Sequence, residues 1–278
     1  MITVKKDIET AGNTLMKNKF CEVVIKPSQT GKIRIFLKGA EHGFNADIDN
    51  LYSTDHCVTL CSKEHRTLLG DYKYKAMLCE HFMAACAFCK IDSIDVYLSE
   101  TEFPIFDGSA KVWVDLFKDA GIDGKNNDLY TVSEPVYYLN GKTSMVILPD
   151  KELNITYSVN YDHPDLTRRW VSVDFKNLDE IIEARTFGFY KDLKKYQSLG
   201  FAKGVNIDNT VGLQDVGYTT KLRSTHEPIK HKILDLFGDL YLTGVSPLNM
   251  RVQILVKEAG HTVHTKVAHD LKNKLVKV

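Results

Sequence analysis

The chain has 278 residues, of which 44% are apolar and 26% charged. That balance supports packed cores and excludes a disordered tail or a fibre. Thirty-six basic residues offset 36 acidic ones, so no global field draws the chain to a phosphate backbone or an anionic membrane, and nucleic acid is set aside as a partner.

At roughly 100 to 200 residues per domain, the length divides most naturally into two compact units. The amino end carries Lys5, Lys6, Asp7 and Glu9 where a signal peptide needs an apolar core, and no stretch approaches the ~20 apolar residues of a membrane span, so a cytoplasmic protein is expected. Six cysteines without a secretory leader read as reduced thiols. Cys57-x3-Cys61 and Cys86-x2-Cys89 have the spacing of a four-thiolate zinc site, but the second pair lies in an apolar helical run, where small buried thiols are the simpler reading.

Residues 21–27 and 32–37 alternate apolar with polar, which predicts two half-buried strands joined by a turn at residues 29–31. A helix is expected over residues 76–88 and a strand over 91–98. Asp107-Gly-Ser109 offers cap chemistry for a helix with Val112, Leu116 and Phe117 at helical spacing, stopped by Gly121. The polar run 123–128 is the best linker candidate, because it joins turn formers to charge. Beyond it, strands are expected at 132–139, 144–148 and 153–161, then a short helix at 178–183. The major helix lies between Pro228, a favoured first-turn residue, and Gly244, a favoured stop, and a strand at 251–256 follows. Both halves run strands, helix, strand, with no residue-level repeat. The expectation is an α+β fold of two similar domains, residues 1–125 and 126–278, each layering a β-sheet against helices, with the active site in the cleft between them.

In the major helix, Ile229, Ile233, Leu236 and Leu240 form an apolar stripe at roughly 100° per residue, while His231, Asp235 and Asp239 line up away from it. A His and a carboxylate four residues apart can ligate one metal ion from successive turns, and a second carboxylate one turn on can orient a partner imidazole. A solvated polar face explains the same spacing. The metal reading needs further donors, and the chain has them. Glu80-His81 leads an apolar helix, where a Glu is otherwise only a dipole partner. His261 follows the last clear strand, at a strand end or turn from which it can reach a cleft. His264 is a further ligand candidate without an evident carboxylate partner. The histidines at 42, 56, 65, 163, 226 and 269 are assigned surface or capping roles.

Glu80-His81, Ala184-Arg-Thr186-Phe187-Gly-Phe189, His231-Lys232-x2-Asp235-x3-Asp239 and Gly260-His261 occur in this order, and with them the chain resembles the zinc-dependent UDP-3-O-acyl-N-acetylglucosamine deacetylase family, LpxC, over nearly its whole length. Phe103-Pro-Ile-Phe-Asp107-Gly-Ser-Ala110, Asp162-His-Pro164 and Leu199-Gly-Phe-Ala-Lys-Gly204 are similar to that family too. The resemblance implies two α+β domains around a shared site and a Zn2+ ion held by His81, His231 and Asp235. It implies Glu80 as general base, His261 as general acid backed by Asp239, and Thr186 as oxyanion donor. Lys232, Phe187 and Lys142 would touch substrate, and an acyl chain would run along Tyr190, Leu193, Phe201 and Ala202. The implied activity is removal of acetate from UDP-3-O-acyl-N-acetylglucosamine in lipid A biosynthesis.

The chain departs from the family pattern at residues 11–17, which lack the usual histidine and second glycine, at Gly204-Val-Asn206, and after His261. These departures touch substrate choice more than metal chemistry. Two alternatives therefore stand beside the deacetylase: a metal-dependent enzyme, hydrolase or cyclase, acting on another small amide or amidine, and a non-catalytic nucleotide-sugar-binding protein.

Overall fold

Strands β1 (Ile2–Val4), β2 (Ile8–Asn13), β3 (Phe20–Pro27), β4 (Ile33–Leu37) and β5 (Phe44–Asn45) open the chain, and the computed structural model describes residues 1–65, 74–173, 175 and 178–278. Strands β6 (Leu51–Ser53), β7 (Thr59–Cys61) and β8 (Lys75–Ala76) make a small separate sheet. Helix α1 (Cys79–Cys89), β9 (Ile94–Leu98), α2 (Lys111–Ala120) and β10 (Ile122–Gly124) follow. Period-two burial builds the main sheet: β3 turns Cys21, Val23 and Ile25 inward, β4 turns Ile33, Ile35 and Leu37, and β9 turns Ile94, Val96 and Leu98. Its order is β2-β3-β9-β4-β5, with β9 antiparallel to β3 and parallel to β4.

The second half supplies β11 (Tyr130–Val132), β12 (Val136–Asn140), β13 (Thr143–Pro149), β14 (Asn154–Val159) and β15 (Arg169–Val173). Then come α3 (Asp179–Ile182), β16 (Thr186–Phe189), α4 (Leu193–Ser198), β17 (Thr210–Leu213) and α5 (Glu227–Tyr241). The chain closes with β18 (Val252–Lys257), α6 (His261–Lys272) and β19 (Leu275–Lys277). The order here is β12-β13-β18-β14-β15, with β18 antiparallel to β13 and parallel to β14. Each sheet is therefore two hairpins with a later strand inserted between them, a long helix before that strand and another after it. End strands close each half: β1 pairs with β10, and β11 with β19. The mixed α+β class and the shared plan agree with the sequence reading, and the repeat lies in topology rather than in residues.

Several boundaries differ from expectation, each for a local reason. Helix α1 begins at Cys79 because Ala76 pairs in the small sheet. Strand β9 begins at Ile94, since the Ile91 N–H is used to cap α1 at the Cys86 carbonyl, 2.9 Å away. The expected strand at 132–139 is two strands, broken by Pro135, which has no N–H for a ladder. Asp123 and Gly124 belong to β10, leaving residues 125–129 as the connection. Ser109 does serve the start of α2, its Oγ accepting from Lys111 N at 3.1 Å. The six cysteines are buried or half-buried thiols, with no thiolate cluster among the described residues.

Helix α1 is apolar on every side and buried from Cys79 to Phe88, so it needs cover all round. Helix α5 supplies part of it. The two cross so closely that a Cβ on Gly238 would lie 2.1 Å from the Glu80 carbonyl oxygen, which brings Glu80 and His81 beside the polar residues of α5. In isolation, Gly→Ala within a helix gains about 1 kcal/mol. Here the clash is with backbone that no rotamer change relieves, and overpacking costs typically about 1–3 kcal/mol. Gly238→Ala is expected to lower the urea midpoint; an unchanged or raised midpoint would contradict the close crossing.

Candidate metal centre

Helix α5 carries His231, Asp235 and Asp239 one turn apart, and all three are buried, with Asp239 at 0% exposure. The solvated-face explanation of their spacing is thus excluded. His81, from the first turn of α1, meets them: its Nε2 lies 3.8 Å from Asp235 Oδ1, and His231 Nε2 lies 3.4 Å from the same oxygen. The two imidazoles stand edge to face at 4.9 Å between centroids. One donor atom from each residue falls within 4.8 Å of the others.

The protonation chemistry suits a cation. His231 Nδ1 is 2.9 Å from the Ala184 carbonyl, which only accepts, so Nδ1 carries the proton and the Nε2 lone pair faces Asp235. Burial, reinforced by His231, pushes His81 down to about 3, and burial also lowers His231. Both rings are neutral at pH 7. Burial alone would raise Asp235, but Lys232, His231 and His261 outweigh it and hold the carboxylate well below its usual range. Lys232 Nζ donates to Asp235 Oδ2 at 2.6 Å, while Oδ1 is buried without a hydrogen-bond partner among the described residues. A buried carboxylate oxygen left bare beside two neutral imidazole nitrogens is a set of donors that could hold a divalent cation.

Glu80 and His261 flank this set. Glu80 Oε2 accepts from Val58 N at 2.9 Å, and Oε1 lies 3.7 Å from His261 Nε2. Burial raises the Glu80 carboxyl to about 7. His261 Nδ1 lies 2.8 Å from Asp239 Oδ2. Burial would lower that imidazole, yet Asp239 and then Asp235 prevail and lift it to about 9.

His261 opens α6, a helix the sequence reading did not anticipate, instead of ending a strand. His264, one turn on, does have a carboxylate partner: its Nδ1 is also 2.8 Å from Asp239 Oδ2, and its Nε2 is 2.9 Å from the Tyr157 hydroxyl. His163 is buried rather than superficial, its Nδ1 accepting from Asp165 N at 3.2 Å within a turn.

A cavity of about 600 Å³ opens over these groups. Glu80, His81, His231, Lys232, Asp235 and His261 line its floor, and Thr186, Phe187, Tyr190, Leu193, Phe201 and Ala202 line its walls. Thr186 is pinned through its N–H to the Gly108 carbonyl at 2.7 Å. Asp239 lies behind His261. Lys142 sits exposed at the β12–β13 turn and is not among the described residues of the cavity wall. Sequence reasoning missed Leu15, Met16, His56, Tyr161 and Phe189 as wall residues. The departing stretch at 11–17 pointed to Leu15 and Met16, whereas nothing local singles out His56.

A family model described as UDP-3-O-acyl N-acetylglycosamine deacetylase, LpxC, matches residues 2–273. The curated UDP-3-O-acyl-N-acetylglucosamine deacetylase of Thermodesulfovibrio yellowstonii is 30% identical over 277 residues, covering 97% of this chain and 90% of the relative. That of Leptospira biflexa is 31% identical, with 98% and 90% covered, and that of Geotalea uraniireducens 28%, with 99% and 86% covered.

The donor geometry carries a direct test. Metal analysis of the purified protein is expected to give roughly one divalent ion per chain, and His231→Ala or Asp235→Ala is expected to lose it. Full metal uptake by both variants would place the ion elsewhere.

Proposed function

The chain belongs to the UDP-3-O-acyl-N-acetylglucosamine deacetylase family, LpxC, and from that premise we propose that it hydrolyses the acetamide of UDP-3-O-acyl-N-acetylglucosamine, releasing acetate in lipid A biosynthesis, with a zinc ion held by His81, His231 and Asp235. The observation that carries the reading is the bare Asp235 Oδ1 facing two neutral imidazoles, with Glu80 on one side and His261 on the other. Bound there, zinc supplies Lewis-acid polarisation and a water whose pKa falls from 15.7 to roughly 7.

The protein's own groups do the rest. Glu80, ionised, takes the proton of the attacking water. The Thr186 hydroxyl donates to the oxygen on which charge grows, an interaction stronger in the transition state than before it. His261, protonated and held so by Asp239, gives its proton to the departing amine. Lys232 fixes Asp235 and presents a cation to the substrate, with Phe187 beside it. Tyr190, Leu193, Phe201 and Ala202 offer the acyl chain an apolar wall, consistent with the mostly apolar cavity. We assign residues 1–125 and 126–278 as the two domains, since each carries the same five-stranded plan closed by its own end strands. A second reading, a metal-dependent enzyme for another small amide, is favoured only by Leu15 and Met16 standing on the cavity wall.

Incubation with the sugar nucleotide is expected to release acetate; metal-dependent hydrolysis of other amides with none here would favour the second reading. Glu80→Ala is expected to keep its metal yet lose on the order of 10² to 10⁴ in turnover, and normal turnover would remove Glu80 from the mechanism. The pH dependence follows from the two partners. Activity needs Glu80 ionised, so it rises with pH through a carboxyl at about 7. It needs His261 charged, so it falls through an imidazole at about 9. A bound cation disfavours the protonated form of each, so the limbs of kcat/KM lie at or below these values. His261→Ala is expected to remove the alkaline limb; its persistence would assign that limb elsewhere.

A further inference from the structure

Asp239 is wholly buried behind the cavity, and its hydrogen bonding is lopsided. Oδ2 lies 2.8 Å from His261 Nδ1 and 2.8 Å from His264 Nδ1, while Oδ1 has no partner among the described residues. A carboxylate only accepts, so both nitrogens that face it carry protons. Two imidazoles from successive turns of α6 thus converge on one oxygen, their rings 6.3 Å apart and nearly perpendicular.

His264 is itself fixed at both ends. It is fully buried, and its Nε2 lies 2.9 Å from the Tyr157 hydroxyl, which is also 2.9 Å from the Ala259 carbonyl. With the phenol proton on His264 Nε2 the ring is neutral and donates through Nδ1 to Asp239; with the phenol proton on the Ala259 carbonyl, both ring nitrogens donate and the ring is charged. The torsion that turns a carboxylate about its last carbon–carbon bond is broad, so a single imidazole fixes it poorly. A second donor aimed at the same oxygen removes that freedom.

We propose that His264 is a positioning residue for proton transfer: with His261 it clamps Asp239 Oδ2, keeping the carboxylate aligned with the imidazole whose other nitrogen faces the cavity. The inference rests on reading His261 as the acid that protonates the leaving amine. It goes beyond that reading in assigning a task to a histidine that is neither among the described residues lining the cavity nor in the group of His81, His231 and Asp235.

The test uses the zinc-loaded full-length protein, the sugar nucleotide and three variants. His264→Asn keeps a donor where Nδ1 stood and loses the Tyr157 contact. His264→Gln keeps a donor nearer the Nε2 position, and His264→Phe keeps neither. Phe and Gln are expected to lose about 10- to 100-fold in kcat with KM little changed, while Asn recovers most of the loss. Wild-type kcat in the Phe variant, equal losses in Asn and Gln, or a loss confined to KM would overturn the proposal. Should the Phe variant fail to fold, the Asn and Gln pair still decides. Nitrogen-15 spectra of labelled histidines provide a readout independent of turnover. Beside the His231 Nδ1–H that meets the Ala184 carbonyl, low-field, slowly exchanging Nδ1–H signals are expected from both His261 and His264, the latter assigned by its loss in His264→Phe; no such signal from His264 would contradict the clamp. If the sugar nucleotide is not turned over, the functional reading fails alone, and the spectra still report on the shared carboxylate.

Discussion

A carboxylate buried in protein is stable only if something answers its charge, and α5 buries three: Glu227, which Arg185 answers, Asp235 and Asp239. Asp235 spends one oxygen on Lys232 and leaves the other bare between two neutral imidazoles. Stripping water from an ion costs several kcal/mol even after the protein relaxes, so an unbonded oxygen in such a place needs a cation to justify it. The proposed chemistry follows from where that cation would sit. Glu80 and His261 flank it, and Lys232, which shares Asp235, reaches the cavity alongside them.

The fold makes this convergence possible by repeating one plan. Each half inserts a strand between two hairpins and leads into it with a long helix, and those two helices, α1 and α5, press against each other. Gly238 allows their backbones to meet at Glu80, so residues separated by about half the chain come to share one floor. Strain accompanies the arrangement: Leu78 before α1 and His226 before α5 both take left-handed backbone conformations, with φ of 59° each. Such conformations disfavour residues with a Cβ and persist where surrounding contacts over-determine them, commonly at functional sites.

The grouping of the candidate metal donors was legible because helical periodicity is local. His231, Asp235 and Asp239 fall on one face by spacing alone, and Glu80-His81 stands out as charge leading an apolar helix. The sheets were legible from alternation in β3, β4 and β9. What escaped depended on contacts made at a distance or on weak local preference. Helix α6 was not anticipated because Thr262, Val263, Thr265 and Val267 are β-branched and poor helix formers. With that helix unread, His264 could not be placed one turn from His261, nor its bond to Asp239 foreseen. Likewise the ends of α1 carry left-handed residues without side-chain caps, so no sequence signal marked them. Lys142, expected near substrate from the resemblance, lies on an exposed hairpin turn whose position only the sheet reveals.

The central claim is a single divalent ion gripped by two imidazoles and one carboxylate. X-ray absorption at the zinc edge of the metal-loaded protein measures that grip most directly. Two imidazole nitrogens and a carboxylate oxygen at about 2.0–2.2 Å, with one further light atom, are the expected shell. Scattering from sulfur at about 2.3 Å, or a shell without imidazole, would contradict the account.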